Sequence, residues 1–255
     1  VCGILNGTTN YILTEMIQMG KSFEQALREA QQKGYAEADP TADVEGIDAG
    51  RKICILADLC FGKNVPPSAI TTEGITHITP ADIACARTLG YKIKLLGRAM
   101  RTGPNSVTAF VAPHLISQSN PIANVDGVLN GIAVRGDAVG EAMFFGPGAG
   151  ALPTASAVAA DMIDCVRDPG TRVYAGWWPS ENGYVTGPDK LSCRWMVRTA
   201  APLAEIAAAF SGVRFINAPN AAADEYAFVT AYMSGEELAE KTAGMDVLAK
   251  YRVLD

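Results

Sequence analysis

Between residues 34 and 52 the chain reads Gly-Tyr-Ala-Glu-Ala-Asp-Pro-Thr-Ala-Asp-Val-Glu-Gly-Ile-Asp-Ala-Gly-Arg-Lys. Five carboxylates, Glu37, Asp39, Asp43, Glu45 and Asp48, crowd this stretch, which ends on the basic pair Arg51 and Lys52. Asp48 and Lys52 are four apart, so a helix starting near Val44 turns both to one face, with Glu45 joining them. A lysine held beside carboxylates can donate a proton, and the carboxylates can hold a substrate ammonium. The same pattern also describes a solvated acidic loop and a surface ion pair contributing roughly 0.2–0.5 kcal/mol. A calcium loop fits poorly: Asp39, Thr41 and Asp43 stand at the first ligand spacings, but Val44 replaces the required glycine and Gly50 the final glutamate.

Two further blocks accompany the acidic stretch. Upstream lies Gly3-Ile-Leu-Asn-Gly-Thr-Thr-Asn-Tyr-Ile-Leu13. Downstream, Gly136-Asp-Ala-Val-Gly140 leads into Gly146-Pro-Gly-Ala-Gly150 and Pro153-Thr-Ala-Ser-Ala-Val158. In order and spacing the three blocks resemble the catalytic region of homoserine dehydrogenases, over residues 3 to about 168. The resemblance implies interconversion of L-homoserine and L-aspartate 4-semialdehyde with NADP or NAD. It places the family's acid/base lysine at Lys52, the carboxylate for the substrate α-ammonium at Glu37, and further substrate-side aspartates at Asp43 and Asp48. Tyr35 is a substrate-side candidate or an aromatic lid packed on the preceding helix. Thr8 precedes helical N–H groups that suit the substrate carboxylate, or it is a plain helix cap, as Thr9 could also be. Gly148, Ala149 and Gly150 correspond to a loop that contacts the cofactor. Where the family has a His-Pro pair, this chain has Asn120-Pro121.

No strand followed by Gly-x-Gly-x-x-Gly and a helix occurs anywhere, so the dinucleotide-binding fingerprint is missing. The family carries its nucleotide-binding domain before this point. We therefore expect the 255 residues to be a fragment without that domain, inactive alone and unable to reveal any preference between NAD and NADP. The helix after residue 150 would then leave Val158, Met162 and Val166 bare, or buried by another copy of the chain.

The remaining composition narrows the class. Lys and Arg number 21 against 27 Asp and Glu, a net charge of −6, which argues against non-specific nucleic-acid binding. No apolar run reaches the length of a membrane span and no signal-peptide pattern opens the chain. Cys2, Cys54, Cys60, Cys85, Cys165 and Cys193 are scattered without a CxxC pair and read as reduced core residues of a cytoplasmic protein. His77 and His114 are isolated, so no metal site is expected.

The elements that must position these residues can be drafted from periodicity. A helix is expected over 9–19, closed by Gly20, and another opens at the Ser22-Phe-Glu-Gln25 capping box. A long helix over 44–61 should carry Ile47, Ile55, Leu56, Leu59 and Cys60 inward. Thr79 caps a further helix, with Pro80 first and Asp82 in its first turn. Short strands follow over 106–112 and 128–134, then a helix from 150 to about 167. The expected class is α+β, helices packed on a mixed sheet. Residues 170–190, rich in Gly, Pro and Trp, read as a linker between a catalytic and dimer-forming domain (1–169) and a small ferredoxin-like domain (191–255). In the latter we expect strand 191–198, helix 202–211, strands 213–217 and 225–233, helix 235–249 and strand 251–254. This tail resembles an ACT regulatory domain, although Thr199-Ala-Ala-Pro-Leu203 lacks the usual turn glycine. A homodimer or larger homo-oligomer is the expected assembly. A reading of another class is a non-catalytic module that senses a free amino acid, with which an essential Lys52 would not agree.

Overall fold

A computed structural model describes residues 1–167, 170, 176–219 and 224–254. The first helix, α1 (Gly7–Met19), begins because Asn6, still extended, turns its side chain back to accept from the Thr9 N–H. Neither Thr8 nor Thr9 is the cap. Gly20, in the left-handed region, ends the helix. The second, α2 (Phe23–Gln32), opens on a complete capping box between Ser22 and Gln25.

The acidic stretch does not enter one continuous helix at Val44. A single turn, α3 (Thr41–Val44), is followed by Gly46 at φ 78°, and only then does α4 (Ile47–Phe61) begin. That left-handed residue is why the expected helix is split: a side chain there would be strained, and the turn re-aims the chain. Its buried side is Ala49, Gly50, Ile53, Cys54, Ala57 and Asp58. Ile47, Ile55, Leu59 and Cys60 are exposed, contrary to expectation. Small residues rather than the largest apolar ones face inward, because α4 lies close against the sheet. Helix α5 (Pro80–Thr88) opens on a second capping box, Thr79 with Asp82.

Eleven strands among the described residues form one mixed sheet. They are β1 (Cys2–Ile4), β2 (Thr71–Thr72), β3 (Tyr91–Gly103), β4 (Ser106–Ser117), β5 (Leu129–Gly136), β6 (Gly140–Pro147), β7 (Val185–Thr186), β8 (Trp195–Thr199), β9 (Arg214–Phe215), β10 (Tyr226–Val229) and β11 (Val247–Leu254). The main path runs β6-β5-β1-β3-β4-β11-β8-β10-β9. On one edge of β4, the short strands β7 and β2 and then β11 pair in turn, all parallel to it. The α+β class is as expected. Helix α6 (Ala151–Arg167) completes the first two thirds of the chain, and α7 (Leu203–Ala209) and α8 (Gly235–Lys241) lie in the last third.

Within the last third the order of elements is the expected strand-helix-strand-strand-helix-strand, with strand neighbours β11-β8-β10-β9. Because β11 also pairs with β4, the sheet continues through both parts of the chain. Several boundaries differ. The helix expected over 235–249 stops at Lys241, and Gly244 at φ 86° separates it from β11, which starts at Val247 rather than 251. Strand β8 starts at Trp195 rather than 191, and β10 spans four residues of the nine expected. The linker drafted over 170–190 includes residues 171–175, outside the described residues.

The principal core packs α1, α2, α4 and α5 against β3 and β4, with Ile12, Leu13, Ile53, Ile93 and Leu115 fully enclosed. On the opposite face, Ile4, Leu96, Ile116 and Ile122 form a smaller cluster. A third, with Trp195, Val197, Ile206, Phe210, Phe228 and Leu238, seats α7 and α8 on the last strands. Among the described residues no helix is long and apolar enough to cross a membrane. None of the six cysteines is in a disulfide among the described residues, but Cys60 and Cys165 are exposed rather than core residues.

Candidate functional site

Asn6 stands between β1 and α1, nearly buried, with every polar atom of its side chain engaged. Its carbonyl oxygen accepts from the Thr9 N–H at 2.9 Å and the Thr9 hydroxyl at 3.0 Å. Its amide donates to Asp43 Oδ1 at 2.7 Å and to Asp48 Oδ2 at 2.9 Å. One side chain thus caps α1 and ties α3 to α4. It is the candidate residue to which the reading of the sequence gave no role; its signal was an asparagine at an N-cap, whose amide is left over for another partner once its oxygen caps the helix.

Asp48, on the first turn of α4, also receives the Lys52 ammonium at 2.7 Å. The expected i,i+4 pair is formed, and Lys52 Nζ donates as well to the Leu5 carbonyl at 3.1 Å. An ammonium has three N–H donors. Two are committed here, and because about half of the Lys52 side chain is accessible the third is open to a bound molecule. Leu5 O and Asn6 both belong to the segment that enters α1, so Lys52, Asp48 and Asp43 are all referenced to that one piece of backbone.

The loop after α2 meets the same segment from the other side. The Thr8 hydroxyl donates to the Tyr35 carbonyl at 2.7 Å. Tyr35 stacks edge-on against Tyr11 with ring centroids 5.0 Å apart, and remains 44% exposed. Tyr11 in turn donates to Glu29 Oε1 at 3.0 Å and accepts from Lys33 Nζ at 2.8 Å. Bonds from Lys21, Lys33 and Tyr11 hold the Glu29 carboxyl down at about 2. Glu37, two residues beyond Tyr35, has its backbone oxygen held by Gln31 at 3.1 Å. Its carboxylate is exposed and makes no bond among the described residues. Asp39 accepts from the Thr41 N–H and hydroxyl, and Glu45 from the Thr76 hydroxyl, so both have local duties.

The glycine loop approaches α1 through Asn130 of β5. A β-carbon on Gly148 would come within 2.6 Å of Asn130 Oδ1, and one on Gly7 within 2.8 Å of the Val128 carbonyl and 3.7 Å of the same Oδ1. Glycine is needed at both places for that close approach. Gly148, Ala149 and Gly150 are exposed, and Gly150 O accepts from the Thr154 N–H at the start of α6. The loop therefore offers bare backbone close to the N-terminus of α1, which suits a dinucleotide's phosphate or ribose edge. The long α6 behind it has no buried residue; Val158, Met162 and Val166 are exposed as expected, together with Leu152 and with Phe144 and Phe145 of β6.

The chain is also similar to known proteins. The profile of the family described as Homoserine dehydrogenase matches residues 1–163. A homoserine dehydrogenase of Neisseria gonorrhoeae is 53% identical over 167 residues, covering 66% of this chain but 38% of that protein. The crystal structure of a homoserine dehydrogenase from Thiobacillus denitrificans superposes with a TM-score of 0.86 at 36% identity, covering 100% of this chain and 63% of that one. A hyperthermophilic archaeal homoserine dehydrogenase mutant in complex with NADPH gives a TM-score of 0.55 at 30% identity, over 67% of this chain and 48% of that one.

Proposed function

The chain belongs to the homoserine dehydrogenase family, and from that premise we propose that the cluster around Asn6 is the substrate half of an active site that interconverts L-homoserine and L-aspartate 4-semialdehyde. The observation that carries the reading is the Lys52 ammonium, held by Leu5 O and Asp48 with one N–H left open. Reduction of an aldehyde builds negative charge on its oxygen, and a donor placed there lowers the barrier. Lys52 Nζ presents its open N–H to that oxygen and passes a proton to it. In the reverse direction the neutral amine, the form that the forward step leaves, takes the proton of the homoserine hydroxyl. Asp48 keeps the ammonium aimed, while Asn6 keeps Asp48 and Asp43 from drifting apart.

Glu37, with its unbonded carboxylate, pairs with the substrate α-ammonium. Thr8 fixes the Tyr35 backbone, so the loop that carries Glu37 is tethered to α1; the Tyr35 ring covers that side of the substrate. NADP or NAD, when bound, supplies or takes up the hydride. Gly148, Ala149 and Gly150 contribute backbone contact to it. The matched stretch covers 38% of the length of the curated relative named above, and we assign most of the cofactor's contacts to the part of such a protein that it does not cover. The exposed apolar side chains of α6 and β6 support association with a second copy of the chain.

The test is homoserine-dependent reduction of NADP+ and NAD+ by Lys52→Ala, assayed in a chain of the relatives' full length, alongside calorimetric binding of homoserine. Loss of turnover with binding retained supports the assignment. Turnover retained by Lys52→Ala would falsify it, and homoserine binding without turnover in either protein would favour an amino-acid-sensing module instead.

A further inference from the structure

A cavity of about 450 Å³ lies between α5 and the last strands, lined by none of the residues around Lys52. Alternate residues of β8 and β10 face opposite ways: Val197 and Phe228 meet α7 and α8, whereas Met196, Ala227 and Val229 turn to the principal core. Ala227 pairs with Arg198 across the strands, and both line the cavity. Ala81 and Ala84 of α5 form the facing wall. Short side chains thus meet where two elements converge, and the space between them stays open. An apolar hollow of this size with a few convergent polar groups has the character of a ligand pocket.

Its charges specify the ligand. Arg198 donates through Nε to Asp82 Oδ1 at 3.0 Å, through Nη1 to Glu225 Oε2 at 2.7 Å, and through Nη2 to the Thr79 hydroxyl at 3.3 Å. Asp82 is fully buried, and its other oxygen receives the Thr79 N–H and hydroxyl. One guanidinium therefore faces two carboxylates, leaving one negative charge in excess. That excess is accessible at Glu225, which lines the cavity and whose second oxygen makes no bond among the described residues. Phe215, edge-on to Tyr226 at 6.5 Å, adds aromatic faces that attract cations.

We propose that this cavity binds a small organic cation, a protonated amine on an apolar body, with the ammonium at Glu225 and the body between α5 and Phe215. A carboxylate ligand would meet the excess negative charge, and the guanidinium that could receive it is already engaged on three sides. The site is independent of the chemistry proposed for Lys52, and its failure would leave that reading untouched.

Three probes with one body and different charge test it by calorimetry on the intact chain: 3-phenylpropylamine, 3-phenylpropanol and 3-phenylpropanoate. The amine should saturate, the alcohol should bind about tenfold more weakly, and the acid should not saturate. Glu225→Gln should weaken the amine by about tenfold and leave the alcohol unchanged. Ala84→Phe, which fills the space, should abolish both, with the unliganded melting temperature serving as the control for folding. Equal binding of acid and amine, amine binding that survives Ala84→Phe, or no saturation by any probe would each overturn the proposal; if Glu225→Gln does not fold, the charge series and Ala84→Phe decide it.

Discussion

Two lysines lean on α1 or its approach, and each bonds to a backbone carbonyl and an aspartate. Lys52 reaches Leu5 O and Asp48 from the exposed end of α4. Lys94, in the first third of β3 and fully buried, reaches Val125 O at 2.8 Å, Asp126 Oδ1 at 2.7 Å and Asn10 Oδ1 at 2.9 Å. The chemical types around them are nearly the same. What differs is the count of donors in use: all three on Lys94, two on Lys52. A lysine with no N–H to offer can only hold structure, whereas one with a donor facing solvent can meet a substrate. Burial also lowers the affinity of Lys94 for its proton, against the pull of Asp126. The comparison teaches that the partners of a charged side chain say less about its role than the valence it has left.

Activity is the harshest test of that distinction. Lys52→Ala should lower kcat for homoserine oxidation by roughly 10²–10⁴-fold, about 3–5 kcal/mol of barrier. The melting temperature should hardly move, because the ion pair removed is half-exposed. A Lys52→Ala protein with normal kcat would erase the difference between the two lysines.

Lys94→Met should do the converse. It leaves the Asn10 side-chain oxygen without its donor, leaves the Val125 carbonyl with the Asn10 amide alone, and strips Asp126 of one of its two cations, Lys92 being the other. We expect about 2–4 kcal/mol of lost stability by urea titration, with kcat per folded molecule near the parent value. The loss should depend on pH. Burial raises the Asp126 carboxyl pKa, but Lys94 and Lys92 outweigh it and hold the carboxyl below its ordinary 3.8. That stabilisation is complete above 3.8 and fades as the pH falls through the lower native value. The gap between parent and variant should therefore narrow in strong acid. A gap that widened there would show that Asp126 is not the principal partner.

These contrasts also mark what could be read from residues alone. The Ser22 and Thr79 capping boxes, the stop at Gly20 and the Asp48–Lys52 pair were legible because each is an interaction within one helical turn or two. The resemblance supplied the family and Lys52. What escaped were contacts between distant residues. Asn6 bonds to Asp43 and Asp48, 37 and 42 positions away, and its place at an N-cap signals a spare amide but not the partners it meets. Lys94 sits in a strand whose alternation looks like an ordinary half-solvated one, yet Asn10, 84 positions away, closes over it. The outward turn of Ile55 and Leu59 was misjudged for the same reason. Close packing of α4 on the sheet selects small residues, and periodicity ranks positions by hydrophobicity rather than by available space.

Asn6 is where the comparison can be sharpened, since one side chain caps α1 and holds the Asp48 that is proposed to aim Lys52. Asn6→Ser keeps an oxygen that can cap α1 but is too short to bridge two carboxylates. It should melt within about 1 kcal/mol of the parent while losing on the order of tenfold in kcat. Asn6→Ala should lose the same activity and roughly 1 kcal/mol more stability. If both substitutions changed stability alone, the Asn6 bridge would be a strut like Lys94 rather than part of the apparatus that aims Lys52.

The smallest effect should come from Thr8, and it separates the two sides of the site. Among the described residues its hydroxyl bonds only to the Tyr35 carbonyl, at the surface, and Thr8→Val removes that tether with almost no change in shape. A solvent-exposed bond of this kind contributes no more than about 1 kcal/mol to stability. The loop it holds carries Glu37, assigned to the substrate ammonium, and not Lys52. Loosening it should therefore raise KM for homoserine a few-fold while kcat stays put, because the ammonium contact is made equally in the bound substrate and in the transition state. A fall in kcat at constant KM would mean instead that the Tyr35 loop takes part in aiming the reacting atoms. The division between a binding side built on α2 and a chemical side built on α4 would then have to be redrawn.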